Sequence, residues 1–252
     1  MIRRRLPSDD WPPPPPEPTL VDLLRRRARE APARTIYHFL GEEFFAGGTE
    51  DGAQTYEQLD GLARAIAARL QQHCAAGERA LLLYAPGLDF MPAFFGCLYA
   101  GVVPVPASPP FRGLSADPLA AVRGIAADCR PAVVLTGGTG GESIEDLCAT
   151  DSAFAAAVWM NTDTIDVKSA DEWSRPQIDE HTPALLQYTS GTTSTPQGVV
   201  VNHRSLLVNQ YLVQVAANHL SNLRPGSGVC WLPQYHDMGL MGSTLQTVFA
   251  DG

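Results

Sequence analysis

Apolar positions recur at helical spacing in two stretches near the start of the chain. Leu20, Leu23, Leu24 and Ala28 share one face of a helix that opens at Thr19, with Asp22 as its capping partner, and stops before Pro32. Thr55 and Gln58 make a second capping pair, and Leu59, Leu62, Ala63, Ile66 and Leu70 follow at i, i+3, i+4 spacing, which predicts a helix from Tyr56 to His73. Between the two, Thr35 to Phe45 reads as a short hairpin with Gly47 and Gly48 in its turn region. Helix and strand patterns then alternate. Strands are predicted at Ala80 to Tyr84, Val102 to Val105, Ala132 to Thr136 and Val158 to Asn161, with helices at Phe90 to Ala100, Ser115 to Cys129 and Ile144 to Cys148 between them. Gly101 closes the Phe90 helix, because a helix commonly ends on a left-handed residue and glycine takes that shape without steric cost.

This alternation argues for an α/β fold of mostly parallel sheets flanked by helices. A first α/β layer covers about residues 52–180, and a second begins near 185 with strands Leu185 to Thr189 and Val199 to His203, a helix Leu206 to Asn218, a strand Val229 to Leu232 and a helical run after Met238. Residues 1–18 contain the run Pro12 to Pro16 and read as a Pro-rich flexible tail, either a passive leader or a ligand for a PxxP-binding partner. Residues 19–252 make up the folded part.

Composition narrows the function. With 45% hydrophobic and 18% charged residues the balance is that of a globular protein. The net charge is -9, and beyond residue 34 there are ten basic against 22 acidic residues, so no basic surface is available for a nucleic-acid backbone. Five cysteines, odd in number and widely spaced, suggest buried reduced thiols and neither a disulfide framework nor a zinc site. The N-terminus reaches no apolar core of a secretory signal, and the most apolar stretch, Phe90 to Ala107, is short and broken by prolines. No transmembrane helix and a cytoplasmic location are expected.

The segment Thr189 to Gly198 carries the chemistry. Six of its ten residues bear a hydroxyl, and Gly191 and Gly198 permit backbone shapes that aim several N–H groups at one point, as a polyphosphate requires. It lacks the G-x-x-x-x-G-K spacing of a P-loop. A hydroxyl-rich surface turn between two strands is the plainer alternative.

Tyr188-Thr189-Ser190-Gly191-Thr192-Thr193 with Pro196 and Gly198 resembles the phosphate loop of the adenylate-forming superfamily, Tyr/Phe-Thr-Ser-Gly-Ser/Thr-Thr-Gly-x-Pro-Lys-Gly. Ser194 stands where that family has glycine and Gln197 where it has lysine. Phe95 to Pro110 and Trp231-Leu-Pro-Gln-Tyr-His-Asp-Met-Gly-Leu240 resemble segments of one branch, the fatty acyl-AMP ligases. The first of these also reads as core packing. In the second, an apolar strand ending in polar residues puts them where α/β folds present ligands.

The resemblance implies that the chain is the N-terminal part of an enzyme that joins a fatty acid to ATP, giving acyl-AMP and pyrophosphate, and then passes the acyl group to the phosphopantetheine arm of an acyl carrier protein. It implies ATP and Mg²⁺ as cofactors. Thr189, Ser190, Gly191, Thr192, Thr193, Ser194, Pro196, Gln197 and Gly198 would hold the phosphates, and Tyr235, His236, Asp237, Met238 and Gly239 would border the acyl group, with His236 touching the carboxylate region. Equally, His236 reads as a structural histidine and Met238 to Met241 as the start of a core helix. The family's adenine-binding segment, ribose-binding aspartate and catalytic lysine have no counterpart in the sequence; Lys168, the single lysine, lies in no family motif. The fragment is therefore expected to be inactive alone. An acyl-CoA ligase fragment and a non-catalytic remnant that binds acyl chains or a partner are the alternatives.

Overall fold

Residues 15–41, 52–110, 117, 119–138, 141–148, 151–189, 196–221 and 228–250 are described in a computed structural model of the chain. Its first helix, α1 (Leu20–Glu30), begins where Thr19 Oγ1 accepts from the Asp22 amide, 3.1 Å. The strands β1 (Thr35–Phe39) and β2 (Gly52–Thr55) pair antiparallel; only β1 falls in the Thr35 to Phe45 span predicted as a hairpin, the partner strand lying beyond it, and the turn glycines lie outside the described residues. Helix α2 (Tyr56–Gln71) carries the full reciprocal cap, with Gln58 N donating to Thr55 Oγ1 and Thr55 N donating to Gln58 Oε1.

The first layer is a four-stranded parallel sheet in the order β4-β3-β5-β6, formed by β3 (Arg79–Leu82), β4 (Val103–Pro106), β5 (Val133–Thr136) and β6 (Val158–Asn161). Helices α3 (Phe90–Ala100), α4 (Ala120–Cys129) and α5 (Gly141–Cys148) connect these strands. The central strands are short and apolar on both sides, so alternate residues feed two cores. Ala80, Leu82, Val133 and Leu135 pack with α1, α2 and α3, and Leu81, Leu83, Val134 and Val105 pack with α4 and α5. Prolines 104 and 106 explain why β4 is an edge strand of this sheet: Val103 and Ala107 donate to β3, leaving the two residues without N–H groups directed away from it.

Close packing and one buried charge network tie the helices together. A Cβ on Gly96 of α3 would lie 2.6 Å from Ile66 Cγ2 of α2. Asp60 of α2, nearly inaccessible to solvent, accepts from Arg25 (2.7 Å), Arg64 (3.0 Å) and the Tyr99 hydroxyl (2.8 Å), so its charge is neutralised where it is buried. Gly101 has φ +74°, the left-handed stop that the sequence anticipates.

The second layer is different in one respect from a continuation of the parallel pattern. Strands β7 (Pro183–Thr189) and β8 (Gln197–Asn202) form an antiparallel hairpin, with β7 lying beside the outer edge of β4. Helix α6 (His203–Ser221) follows, and after residue 228 comes extended chain, then α7 (Asp237–Gly239), a π-helical turn Leu240–Thr244 and α8 (Leu245–Ala250). Val229 to Leu232, predicted as a strand, pairs with no strand among the described residues; Val229 and Trp231 are 75% and 87% exposed there. Apolar composition alone does not make a strand without a ladder partner. Leu185, Leu206, Leu240, Leu245 and Val248 join the core of α1 and α3, so the two layers share one apolar interior. Among the described residues no helix is long and apolar enough to cross a membrane.

Candidate functional site

The hydroxyl-rich segment is the loop of the β7–β8 hairpin. The last ladder pairs are Tyr188 with Gly198 and Thr189 with Gln197, which bring the two ends of the segment side by side. Ser190, Gly191, Thr192, Thr193 and Ser194 lie outside the described residues; Thr189, Pro196, Gln197 and Gly198 lie within them. Thr189 and Gln197 are exposed at the tip of the ladder, as side chains offered to a solvent-borne ligand must be. Gly198 has a local reason to be glycine: a Cβ there would stand 3.0 Å from Tyr188 Cζ, because the Tyr188 ring lies across the facing strand.

Two contacts from α4 meet the legs of this hairpin. The Tyr188 hydroxyl donates to the Asp128 carboxylate, and Pro196 packs where a Cβ on Gly124 would be 3.2 Å from its Cγ. Burial, and then the hydrogen bond to Asp128, raise the Tyr188 hydroxyl above its ordinary pKa, so it stays a donor throughout the physiological range. Nothing in the sequence around Asp128 marks it for this contact.

The second segment is carried to the same place by Gln187. This buried side chain, one residue before Tyr188, donates through Nε2 to the carbonyl of Tyr235 at 3.3 Å. Its Oε1 is buried and has no hydrogen-bond partner among the described residues. A polar side chain in the middle of an otherwise apolar strand is the signal from which this link could have been read.

Around His236 the chain turns into the final helical run. Its amide donates to Pro233 O (3.1 Å), its carbonyl accepts from Leu240 N (2.8 Å), and its exposed ring places Nδ1 2.6 Å from Asp237 Oδ1. Nδ1 also lies 3.4 Å from the Met238 amide, but that amide is taken at 2.8 Å by Asp237 Oδ1. The shorter contacts assign the proton to Nδ1, donated to Asp237, and leave Nε2 facing solvent. In this arrangement the Asp237 carboxylate holds the imidazole through its Nδ1. The Tyr235 side chain is partly buried and Met238 is largely exposed, whereas Gly239 is buried under the Pro233 carbonyl, where a Cβ would collide. Leu240 is fully buried in the shared core. The Met238 to Met241 stretch thus splits, with Met238 open to the outside and Leu240 part of the interior. A π-helical turn follows, and Thr244 Oγ1 donates back to the Gly239 and Leu240 carbonyls at 3.1 and 3.0 Å.

The donor set suits an anion better than a hard cation. Thr189 and Gln197 can offer an O–H and N–H groups, but the nearby carboxylates of Asp128 and Asp237 are engaged by Tyr188 and by His236 with Met238. No group of three His, Cys, Asp or Glu is arranged for a metal among the described residues. A separate surface groove of about 410 Å³ beside β6, lined by Arg69, His73, Asn161 and Asp166 among others, shares no residue with the two segments. The thiols also lie apart from this chemistry. Burial pushes Cys74 and Cys148 up to about 11 and Cys129 to about 12, and Cys230, expected to be buried, is exposed.

The chain is similar to known proteins over nearly all of its length. Residues 24–251 match the family model described as AMP-binding enzyme. The medium-chain-fatty-acid–[acyl-carrier-protein] ligase JamA of Moorena producens is 37% identical over 92% of this chain and 38% of its own length. The long-chain-fatty-acid–AMP ligase FadD32 of Mycobacterium marinum is 34% identical over 92% of the chain and 36% of its own length. A fatty acyl-adenylate ligase from L. pneumophila, solved in complex with acyl adenylate and pyrophosphate, superposes with a TM-score of 0.79 at 35% identity, covering 92% of this chain and 38% of that one. The chain thus spans well under half the length of the curated relatives it matches. A family match over residues 24–251 makes this chain a member of the AMP-binding enzyme family, similar to the fatty acyl-AMP ligases.

Proposed function

We propose that this chain supplies the phosphate loop and one wall of the acyl site of a ligase that joins a fatty acid to ATP, and that the acyl-AMP product is passed to an acyl carrier protein. The observation that carries the reading is the Gln187 side chain, which joins the strand leading into the loop to the Tyr235-His236-Asp237 turn, so that both segments border one region. In the reaction a fatty carboxylate oxygen attacks the α-phosphorus of ATP, the bond from that phosphorus to the β-bridging oxygen breaks, and pyrophosphate leaves with the electron pair. Thr189, Gln197 and the hydroxyl-bearing and glycine residues Ser190, Gly191, Thr192, Thr193 and Ser194 hold the β- and γ-phosphates, with Pro196 and Gly198 shaping the returning strand. His236 faces the carboxylate through Nε2, which donates only when the ring carries both protons, since the Nδ1 proton rests on Asp237. Tyr235 and Met238 border the alkyl chain, and Gly239 lets the helical run start beneath Pro233. Carrier-protein transfer is favoured over coenzyme A by the similarity to a ligase whose name specifies the carrier protein.

We further propose that the 252-residue chain binds ATP but does not turn over. Support comes from its span of 38% of a relative's length and from Val199 and Val200 on β8, which are uncovered by any described segment. Titration calorimetry with ATP and fatty-acid-dependent ATP–pyrophosphate exchange test the two parts. Binding without exchange is expected. A folded chain that fails to bind ATP would sink the phosphate-loop assignment, and robust exchange would sink the claim of incompleteness.

A further inference from the structure

Helix α4 belongs to the first layer, yet it presents one face to the hairpin of the second. Gly124 and Asp128 are four residues apart and so lie one above the other on that face. Asp128 accepts from the Tyr188 hydroxyl on the outgoing strand. Gly124 receives the Pro196 ring on the returning side, where a Cβ would stand 3.2 and 3.5 Å from Pro196 Cγ and Cδ. Tyr188 and Pro196 are the residues that bracket Thr189 and Gln197, the last ladder pair before the loop. The Tyr188 ring also lies across Gly198, so one side chain touches the helix and the opposite strand together.

The helix is itself held at both ends. Near its start Arg123 bridges Asp117 (2.9 Å) and Asp151 (2.6 Å). At its end Arg79 of β3 donates to the carbonyls of Cys129 (2.8 Å) and Arg130 (3.1 Å), groups that a helix C-terminus leaves without intrahelical partners. A glycine in the middle of such a helix costs stability relative to alanine and has no role within the helix. Room for Pro196 gives it one.

We propose that Asp128 and Gly124 of α4 are positioning residues for the phosphate loop, fixing both legs of the β7–β8 hairpin against the first layer so that Thr189 and Gln197 are held at a set separation and direction. The function of this clamp rests on the phosphate-loop reading above, but its existence is testable without any ligand.

The test compares Asp128→Ala, Asp128→Asn, Tyr188→Phe, Gly124→Ala and the Asp128→Ala/Tyr188→Phe double variant in the full 252-residue chain. The first readout is amide hydrogen exchange at Thr189 and at residues 197–199, with amides of β3 and β5 and the thermal midpoint as the measure of global stability. Asp128→Ala and Tyr188→Phe should each speed exchange at the ladder end about three- to tenfold, the range expected for one lost hydrogen bond. The double variant should be no faster than either single one. Asp128→Asn, whose amide oxygen accepts the same hydrogen bond, should restore near-normal exchange, and Gly124→Ala should show a smaller rise of the same kind. The second readout is affinity for ATP, expected to fall by a similar factor in the two single variants and to recover in Asp128→Asn.

Unchanged exchange in Asp128→Ala and Tyr188→Phe, additive effects in the double variant, or Asp128→Asn as damaging as Asp128→Ala would each overturn the clamp. Faster exchange with unchanged ATP affinity would overturn its positioning role. If the unaltered chain binds no ATP, the phosphate-loop reading fails, and the exchange results decide whether the clamp exists.

Discussion

Acidification should loosen the joint between the N-terminal helix and the second layer, and His203 sets the pH at which it does so. His203 opens α6 and is 1% exposed; its Nδ1 accepts the Leu20 amide of α1 at 3.2 Å. That acceptor exists only while Nδ1 is unprotonated, since an imidazolium would turn an N–H toward another N–H. Burial accordingly lowers the His203 pKa from 6.5 to about 4, with Asp22 and Asp179 pulling it partly back. The unfolded chain therefore binds the extra proton between pH 6.5 and 4 and the folded chain does not, so stability rises with pH across this window. The contribution is fully present above pH 6.5, is lost progressively as pH falls, and levels off below about pH 4. A displacement of this size corresponds to about 3 kcal/mol, a sizeable part of the stability of an ordinary domain. Urea unfolding measured at pH steps from 7.5 to 3.5 (about one-half unit apart) gives the slope. Carboxylates titrate near the lower end of the same range, so the decisive quantity is the difference between the wild type and His203→Asn, whose Oδ1 can accept from Leu20 without titrating. The variant should lose most of the slope between pH 6.5 and 4.5. An identical slope in both proteins would refute the assignment.

Three further outcomes follow from the packing and the loop. Gly96→Ala should destabilise the chain by about 1–3 kcal/mol in urea unfolding, despite the gain in helix propensity, because the new Cβ meets Ile66 at 2.6 Å; adding Ile66→Val should recover part of the loss, since it thins the side chain that is struck. Asp60→Ala should cost about 3 kcal/mol by the same measurement, for it strands Arg25, Arg64 and the Tyr99 hydroxyl around a vacated acceptor. Gln197→Lys should tighten ATP binding about three- to thirtyfold at low salt, with the gain shrinking as salt is added, because an ammonium neutralises phosphate charge that an amide only hydrogen-bonds; unchanged affinity in calorimetry would count against Gln197 lying beside the phosphates.

Elements with a local cause were legible from sequence. The Thr55 and Gln58 cap places the start of α2 at the predicted residue, and Gly101 ends α3 at the predicted residue, because both signals act within one helical turn. The four parallel strands were found from short apolar runs, since burial on both faces leaves no polar alternation to dilute them. The antiparallel direction of β7 and β8 was not legible, for two strands separated by a polar loop can pair either with each other or with distant neighbours. The site divides in the same way. Tyr188 to Gly198 and Trp231 to Leu240 are contiguous motifs and so stand out in the sequence, whereas the contacts at their ends come from single residues far away in sequence. Asp128 is 60 residues from Tyr188, and Gln187 is 48 from Tyr235. Gln187 stands out as a polar residue inside an apolar strand, but its partner does not, and the exposed Asp128 has no pattern to announce it.

The fate of Val229 to Leu232 shows what apolar patterning measures. The run is apolar and contains Val229 and Trp231, residue types that favour a pleated, half-buried surface, and that preference is a statement about neighbours as much as about backbone. Among the described residues β8 is bordered on one side by β7, and its Val199 and Val200 remain exposed together with Val229 and Trp231. Two apolar segments thus stand uncovered among the described residues, β8 with a strand on one side and Val229 to Leu232 with none. Exposed edges of this kind are ordinarily paired, shielded or charged; among the described residues Val201 packs against the core, whereas Val199 and Val200 are apolar and exposed. The composition of β8 is therefore that of an interior strand in an edge position, which is why the pattern and the structure disagree at Val229 but agree in the first layer, where every strand has its neighbour.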